Sequence, residues 1–325
     1  MSKSRKPVNK KKVLKIVLIS LAVFIILNLI GAAVGTSTSI THPRRDSYSD
    51  VEQEMKDNQV WGDFDKYDKE SYIVKGLDGY ELHCMKVSAP ETVGTGKYLI
   101  YSHGHTSNMY SASKYADVYI ELGFTVITYD LRAHGENAKA ICSMGGYEAQ
   151  DLNYLIEDTF ERYKDVDILG LQGESMGTST SLNALRYSDK IDFIVADCGM
   201  QSLKYMVHDM YNDMYLYPFG VCADIGFKLL YGIDDAQVSG IDAIKGKNVP
   251  ILFVHGEGDT WIDVDSSRDM YEVAKQSAYS ELWLVPEAGH AESRDKAGKD
   301  AYRDHIGNFL INAGVVSVDS EAQAA

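Results

Sequence analysis

Residues 167–187, DILGLQGESMGTSTSLNALRY, decide the fold. The apolar run 168–172 has the composition of a buried strand, and the run after residue 177 reads as a helix. Between them lies Gly173-Glu174-Ser175-Met176-Gly177, a G-x-S-x-G in a strand–turn–helix setting. The chemistry of that motif depends on a very tight turn. Small residues two before and two after the serine keep neighbouring chains from clashing there, and the hydroxyl is left standing at a helix N-terminus, where the helix dipole favours developing negative charge. Ser175 is therefore the candidate nucleophile.

A serine hydroxyl needs a base, and the base needs an orienting acid. In this setting the partners follow in the order Ser, Asp or Glu, His. Asp259 lies in GEGDT (256–260), directly after the apolar run ILFVH, and His290 lies in EAGHA (287–291), after LWLVP. Both positions fall beyond the carboxyl ends of strands, where ligands bind in open parallel sheets. Asp263 is the nearest rival acid, and Glu287 stands too close in sequence to the base. Two backbone N–H groups are expected to receive a developing oxyanion. One is that of Met176, after the nucleophile. The other is that of His105, in the loop HGHTSN (103–108), where Gly104 lets the backbone approach a carbonyl closely. His103 and His134 read as structural.

Working outward, KYLIYS (97–102), FTVITYD (124–130), FIVADCG (193–199), ILFVHG (251–256) and LWLV (282–285) are short apolar runs with little polar alternation. Strands covered on both faces read this way. Helical stretches separate them, so the fold class is α/β with a mostly parallel central sheet flanked by helices. Asp78-Gly79 predicts a hairpin turn at the start of the sheet. The rhythm breaks over 199–247, an aromatic and Met-rich stretch that reads as a small helical cap. Met206, Met210 and Met214 recur every four residues there and share a face if helical.

The chain has 325 residues, 45% of them hydrophobic and 24% charged, with a net charge of −15. That composition suits a packed globular protein, and an acid-rich chain lacks the basic footprint of a nucleic-acid binder. The charge is uneven. Seven cations precede residue 16, and the first acidic residue is Asp46. Ile16–Gly35 then runs for 20 residues without a charge, long enough at 1.5 Å per residue to cross about 30 Å of hydrocarbon. The basic flank before the span places the N-terminus in the cytoplasm and the domain outside. The span reads as an uncleaved signal-anchor; cleavage near Ala33-Val34-Gly35, giving a secreted protein, is the alternative. The expected organisation is a basic tail (1–15), the span (16–35), a stalk with one helix near 51–59 (36–70), the α/β domain (71–314) with its cap, and a disordered tail (315–325). Cys84, Cys142, Cys198 and Cys222 lack metal-site or redox spacing and read as free thiols.

With HGHTSN (103–108), YDLRAHGEN (129–137), GGYEAQDL (145–152), GESMG (173–177), HGEGD (255–259) and PEAGHAES (286–293) assembled, the chain resembles serine hydrolases of the α/β-hydrolase superfamily. It is similar to the monoacylglycerol-lipase-like and serine-aminopeptidase-like branch, including bacterial membrane-associated members. Ala133 stands where that branch usually has glycine, a departure that leaves the three site residues untouched. The resemblance implies a catalytic triad of Ser175, Asp259 and His290, oxyanion donors His105 and Met176, and no metal or organic cofactor. It also makes the cap the wall of the acyl pocket, with Met206, Met210 and Met214 as candidate substrate-binding residues. The expected substrate is a small or medium carboxylic ester. Peptide, thioester and acyl-transfer chemistry remain open on the same constellation, as does a non-catalytic binding role.

Overall fold

The computed structural model describes residues 9–317, so the first eight residues of the basic tail and residues 318–325 of the expected C-terminal tail lie outside the described residues. Strands β1 (Asp68–Lys75), β2 (Glu81–Ser88), β3 (Lys97–Ser102), β4 (Thr125–Tyr129), β5 (Ile168–Glu174), β6 (Phe193–Asp197), β7 (Ile251–Gly256) and β8 (Ser280–Val285) form one sheet in the order β1-β2-β4-β3-β5-β6-β7-β8. β2 pairs antiparallel with β1 and β4, and every later pairing is parallel. The expected hairpin turn is present, with Asp78 and Gly79 both at positive φ (56° and 75°).

The helices are α1 (Lys10–Thr41), α2 (Tyr48–Asp57), α3 (Ser113–Glu121), α4 (Tyr147–Arg162), α5 (Met176–Ala184), α6 (Leu203–Asp213), α7 (Tyr217–Tyr231), α8 (Gly240–Ala243), α9 (Asp265–Ala274), α10 (Ser293–Ala297) and α11 (Lys299–Asn312). Two cores lie on the two faces of the sheet. One packs Ile100, Ile127, Leu171, Ile194 and Phe253 against α4 and α5 residues such as Leu152, Leu155 and Leu182. The other packs Leu99, Val126, Val195 and Val254 against Tyr115, Tyr119, Ile306 and Phe309 of α3 and α11. Neighbouring strand residues go to opposite cores because side chains alternate across a strand. Both cores are apolar, which is why β3–β7 read as continuous apolar runs.

The cap segment carries α6 and α7 above a base closed by a bridge between Ser202 and Ser239, and α8 just beyond it packs on α5 and α9. The segment read as a stalk is docked on the domain. α1 continues to Thr41, and its end is tied down by Cys142 N–H donating to the Thr41 carbonyl at 2.9 Å. Arg45 donates to the carbonyls of Gly135 and Asn137 (2.5 Å to the latter), and Tyr48 donates to Asp130 at 2.5 Å. Val51, Met55 and Trp61 then enter the second core. At the other end Val315 N–H donates to the Leu310 carbonyl at 2.9 Å, so the start of the expected tail closes α11.

Candidate active site

β5 delivers Ser175 at φ 56° and ψ −117°, a backbone conformation that few non-glycine residues adopt. The surroundings impose it. A Cβ added at Gly173 would lie 2.2 Å from the Gly177 carbonyl oxygen, and one at Gly177 would lie 1.9 Å from that of Ser102. Neither contact is sterically possible, so close packing requires both glycines of the motif, Gly173 against the first turn of α5 and Gly177 against the end of β3. The Ser175 N–H donates to the Asp197 carbonyl at 2.9 Å, which fastens the turn to β6.

Three loops bring the predicted residues together. The Ser175 hydroxyl donates to His290 Nε2 at 2.9 Å, and His290 Nδ1–H donates to Asp259 Oδ2 at 2.7 Å. Asp259 Oδ1 accepts from the N–H groups of Trp261 and Ile262 at 2.8 and 3.0 Å. His255, buried in β7, stands 3.2 Å from Asp259 Oδ2. Burial opposes ionisation of Asp259, but the bonds from His255 and His290 outweigh it and hold the carboxyl well below its usual range. Asp263, the rival acid, accepts from the Asp265 N–H at 2.8 Å and caps its own turn. Such a chain can draw a proton from a hydroxyl while fixing one imidazole tautomer.

The loop after β3 lies against the nucleophile, since a Cβ at Gly104 would stand 3.6 Å from Ser175 Cβ. Met176 opens α5, so its N–H is one of the first-turn donors that no helical carbonyl can satisfy. His105 Nε2 donates to the Ile40 carbonyl at 3.1 Å, a contact to α1 that the sequence does not announce. His103 is fully buried, donating from Nδ1 to the Gly104 carbonyl (2.7 Å) and accepting the Leu131 N–H at Nε2 (3.0 Å). Burial lowers its pKa to about 4, so it is a neutral strut. His134 is likewise buried and donates to the Arg132 carbonyl at 2.8 Å.

Of the three cap methionines, Met206 packs against the first core, whereas Met210 and Met214 are 43% and 50% exposed. Met214 is the C-cap of α6, just past its last turn. Trp261, 80% exposed, stacks with His290 at a 6.4 Å ring separation and is the more direct lining group beside the base.

Sequence reading missed a buried charge cluster beneath the elbow. Glu174 accepts from Lys114 at 2.8 Å and from the Tyr115 hydroxyl at 2.6 Å. Lys114 also donates to the Ala291 carbonyl, next to His290. Burial alone would push the Glu174 carboxyl up, but the ammonium of Lys114 overrides it and keeps the acid ionised. Asp197, sharing Tyr115 and Tyr302, is raised by burial to about 6. Glu174 was visible only as the variable position of the motif, and nothing local marked Lys114 as its partner, 60 residues away.

Two sets of metal-ligating types come together: His105, His134 and Cys142, and Cys198, Asp259 and His290. In the first set the imidazoles already donate to backbone carbonyls, and burial pushes the Cys142 thiol well up. In the second, Asp259 and His290 belong to the hydrogen-bonded chain just described, and burial pushes the Cys198 thiol well up. All four cysteines are free. A surface hollow of about 630 Å³ lined by Asp167, Asp192 and Tyr279 lies at the opposite ends of the strands from Ser175.

Residues 97–221 match the family model of the alpha/beta hydrolase fold. That stretch runs from β3 through the nucleophile elbow into the cap. The chain has the alpha/beta hydrolase fold. Similar proteins include the uncharacterised YqkD of Bacillus subtilis, 29% identical over 87% of this chain and 93% of that protein. Another is the uncharacterised YfhR of Escherichia coli K12, 24% identical over 79% of this chain and 85% of its own length. Among solved structures, the Pyrococcus furiosus esterase Pf2001 superimposes with a TM-score of 0.63 at 20% identity, covering 84% of this α/β hydrolase and 98% of the esterase. An acylaminoacyl peptidase of Pyrococcus horikoshii does so with a TM-score of 0.59 at 15% identity, over 76% of this chain and 41% of the peptidase.

Proposed function

We propose that this α/β hydrolase is a membrane-anchored serine hydrolase that cleaves carboxylic esters of small or medium acyl substrates through an acyl-enzyme. The observation that carries the reading is the unbroken hydrogen-bonded chain from Ser175 through His290 to Asp259 at the carboxyl ends of the strands. Ser175 Oγ attacks the acyl carbonyl while His290 Nε2 takes its proton. The N–H groups of Met176 and His105 receive the oxyanion, a contribution worth about 2.7–4 kcal/mol per donor in such sites. His290 returns the proton to the leaving alcohol, then activates water to release the acid. Asp259 holds the imidazole tautomer and supports its positive charge.

α1 serves as the anchor. Apart from Leu29, its large apolar side chains from Val13 to Val34 are about half exposed or more, as suits a helix surrounded by lipid rather than protein. The basic residues before it hold the N-terminus in the cytoplasm, with the hydrolase domain outside.

The test uses full-length protein in detergent. A fluorophosphonate should label wild type and not Ser175→Ala, with p-nitrophenyl esters from acetyl to palmitoyl turned over only by wild type. Stoichiometric labelling of the mutant would sink the nucleophile assignment. Amide cleavage is the second reading, since a peptidase shares the fold. Aminoacyl p-nitroanilides run in the same assay decide between them: turnover of these and not of the esters would replace the ester reading.

A further inference from the structure

The side of the molecule that α1 leaves by is apolar well beyond α1 itself. Along α1 the shielded residues are Leu29, Ala32, Ala33, Thr36, Ser37 and Ile40, a stripe at spacings of three and four that lies on one helix face. α7 covers that stripe. Gly226 makes the approach possible, because a Cβ there would lie 2.1 Å from the Ala33 carbonyl oxygen. Five residues further along α7, the Tyr231 hydroxyl meets Thr38 Oγ1 at 2.7 Å, five residues further along α1. The two helices therefore run in the same sense where they touch. Tyr211 of α6 adds a hydroxyl contact to Thr36.

This packing sets a depth. The charge-free run is Ile16–Gly35, so Leu29–Gly35 is its outer end, about 10 Å of helix. A helix that covers Leu29, Ala32 and Ala33 occupies the same layer that they do. The outward face of α7 suits that layer. Val221, Ile225 and Leu229 recur every four residues and are 40%, 50% and 77% exposed. Tyr215, Leu216 and Tyr217 are exposed at the leading end of α7, and no charge occurs from Met214 to Ala223. The two charged residues within α7 are engaged elsewhere, Asp224 with His208 at 2.7 Å and Lys228 with Asp234 at 2.7 Å. In water this surface would be an exposed apolar patch of the kind that marks an interaction site.

We infer that the Val221–Ile225–Leu229 face of α7, led by the Tyr215–Tyr217 turn, is immersed in the outer leaflet that α1 crosses, so that acyl substrate reaches Ser175 from the bilayer. The continuity of this face with the anchor commits it to lipid rather than to a protein partner. The inference rests on the reading of α1 as a membrane span. The path inward is short, because the end of α1 is one hydrogen bond from the loop beside Ser175, Ile40 to His105. Tyrosines at the leading end and isolated aliphatics along one face are the side chains that partition into the headgroup and acyl boundary.

The experiment places nitroxide labels on full-length protein in phosphatidylcholine–phosphatidylglycerol nanodiscs, in a Cys222→Ala background. Labels go at Val221→Cys and Leu229→Cys, with Leu21→Cys in the span and Val93→Cys on a distant exposed loop as references. Labels at 221 and 229 should collide with oxygen more than with a water-soluble nickel chelate, as at Leu21, and the order should reverse at Val93. If Leu21 reports lipid while 221 and 229 match Val93, the immersed face is overturned and the anchor stands. If Leu21 itself reports water, the anchor reading falls and takes this one with it. Independently, Leu229→Asp should lower turnover of a vesicle-borne long-chain ester at least about ten-fold, since an acid is costly in that layer, and leave p-nitrophenyl acetate turnover unchanged. An equal fall for both substrates would overturn delivery from the bilayer.

Discussion

The elbow and the α1–α7 pair are both built on close backbone approaches, yet they differ in everything around those approaches. At the elbow, Gly173 and Gly177 allow contact with backbone that is itself buried, and protein groups bind the charged and imidazole side chains around it: Lys114 with Glu174, His290 with Asp259, His103 with Leu131. At the other site, Gly226 allows α1 and α7 to touch, but hydroxyl contacts from Tyr211 and Tyr231 are the main polar ties and the outer faces are bare apolar chains. The difference teaches where each region gets its definition. The elbow is positioned by protein on every side, so its geometry is intrinsic. The α1–α7 pair is finished by whatever surrounds it.

Substitutions can break that contrast, and the largest effect belongs to the elbow. Asp259→Asn keeps the shape but favours the wrong imidazole tautomer, and under the proposed reaction kcat should fall by about 10⁴-fold, as the same change does in a Ser-His-Asp triad. Steady-state kinetics with a p-nitrophenyl ester reads this, and a fall below ten-fold would mean that Asp259 does not orient His290 for the proposed reaction. Next comes Lys114→Met. It strands a buried carboxylate at Glu174, a loss of about 3–5 kcal/mol. Adding Glu174→Gln should recover much of that loss in a denaturation experiment, and an additive loss would deny the pairing.

The third effect is in pH. His103 has a folded pKa of about 4 against an ordinary 6.5, so the unfolded chain takes up its proton first as pH falls. Its contribution is fully present above about pH 6.5 and is lost progressively down to about pH 4, on the order of 3 kcal/mol in all. Unfolding midpoints at pH 7 and pH 5 should therefore converge in His103→Gln relative to wild type. An unchanged difference would remove His103 as the source. The smallest effect belongs to the other region. Tyr231→Phe deletes one partly buried hydroxyl contact and should cost about 0.5–1.5 kcal/mol in detergent, with p-nitrophenyl acetate turnover retained. A loss as large as that of Lys114→Met would show that the anchor contact is as internally determined as the elbow.

How much was legible beforehand follows the same divide. β3 and β7 have the boundaries that their apolar runs predict, because a strand buried on both faces writes itself as a continuous apolar run. Ser175, Asp259 and His290 were readable because each sits immediately beyond such a run, and the structure brings all three into one chain of bonds. The segment 36–70 was misread as a stalk. Polar composition suggested exposure, but Arg45 and Tyr48 spend their polar groups on the carbonyls and carboxylate of the domain, and Val51 and Met55 reach its core. The cap methionines also behave differently from their spacing. α6 ends at Asp213, so Met214 turns away, and the residue that flanks His290 is Trp261 from another loop.

Local patterns, then, were enough for the sequence alone to determine the strand–elbow–helix, the alternation that makes a parallel sheet, and a 20-residue run able to cross a bilayer. Each depends on residues within a few positions of one another. Tertiary structure alone decided that His255 stands beside Asp259, that Lys114 supports Glu174, and that α1 docks on α7 and on the loop beside Ser175. These are contacts between residues up to nearly 200 positions apart. Such contacts leave no periodicity in the chain, because what selects them is the packing of surfaces that exist only once the sheet has formed.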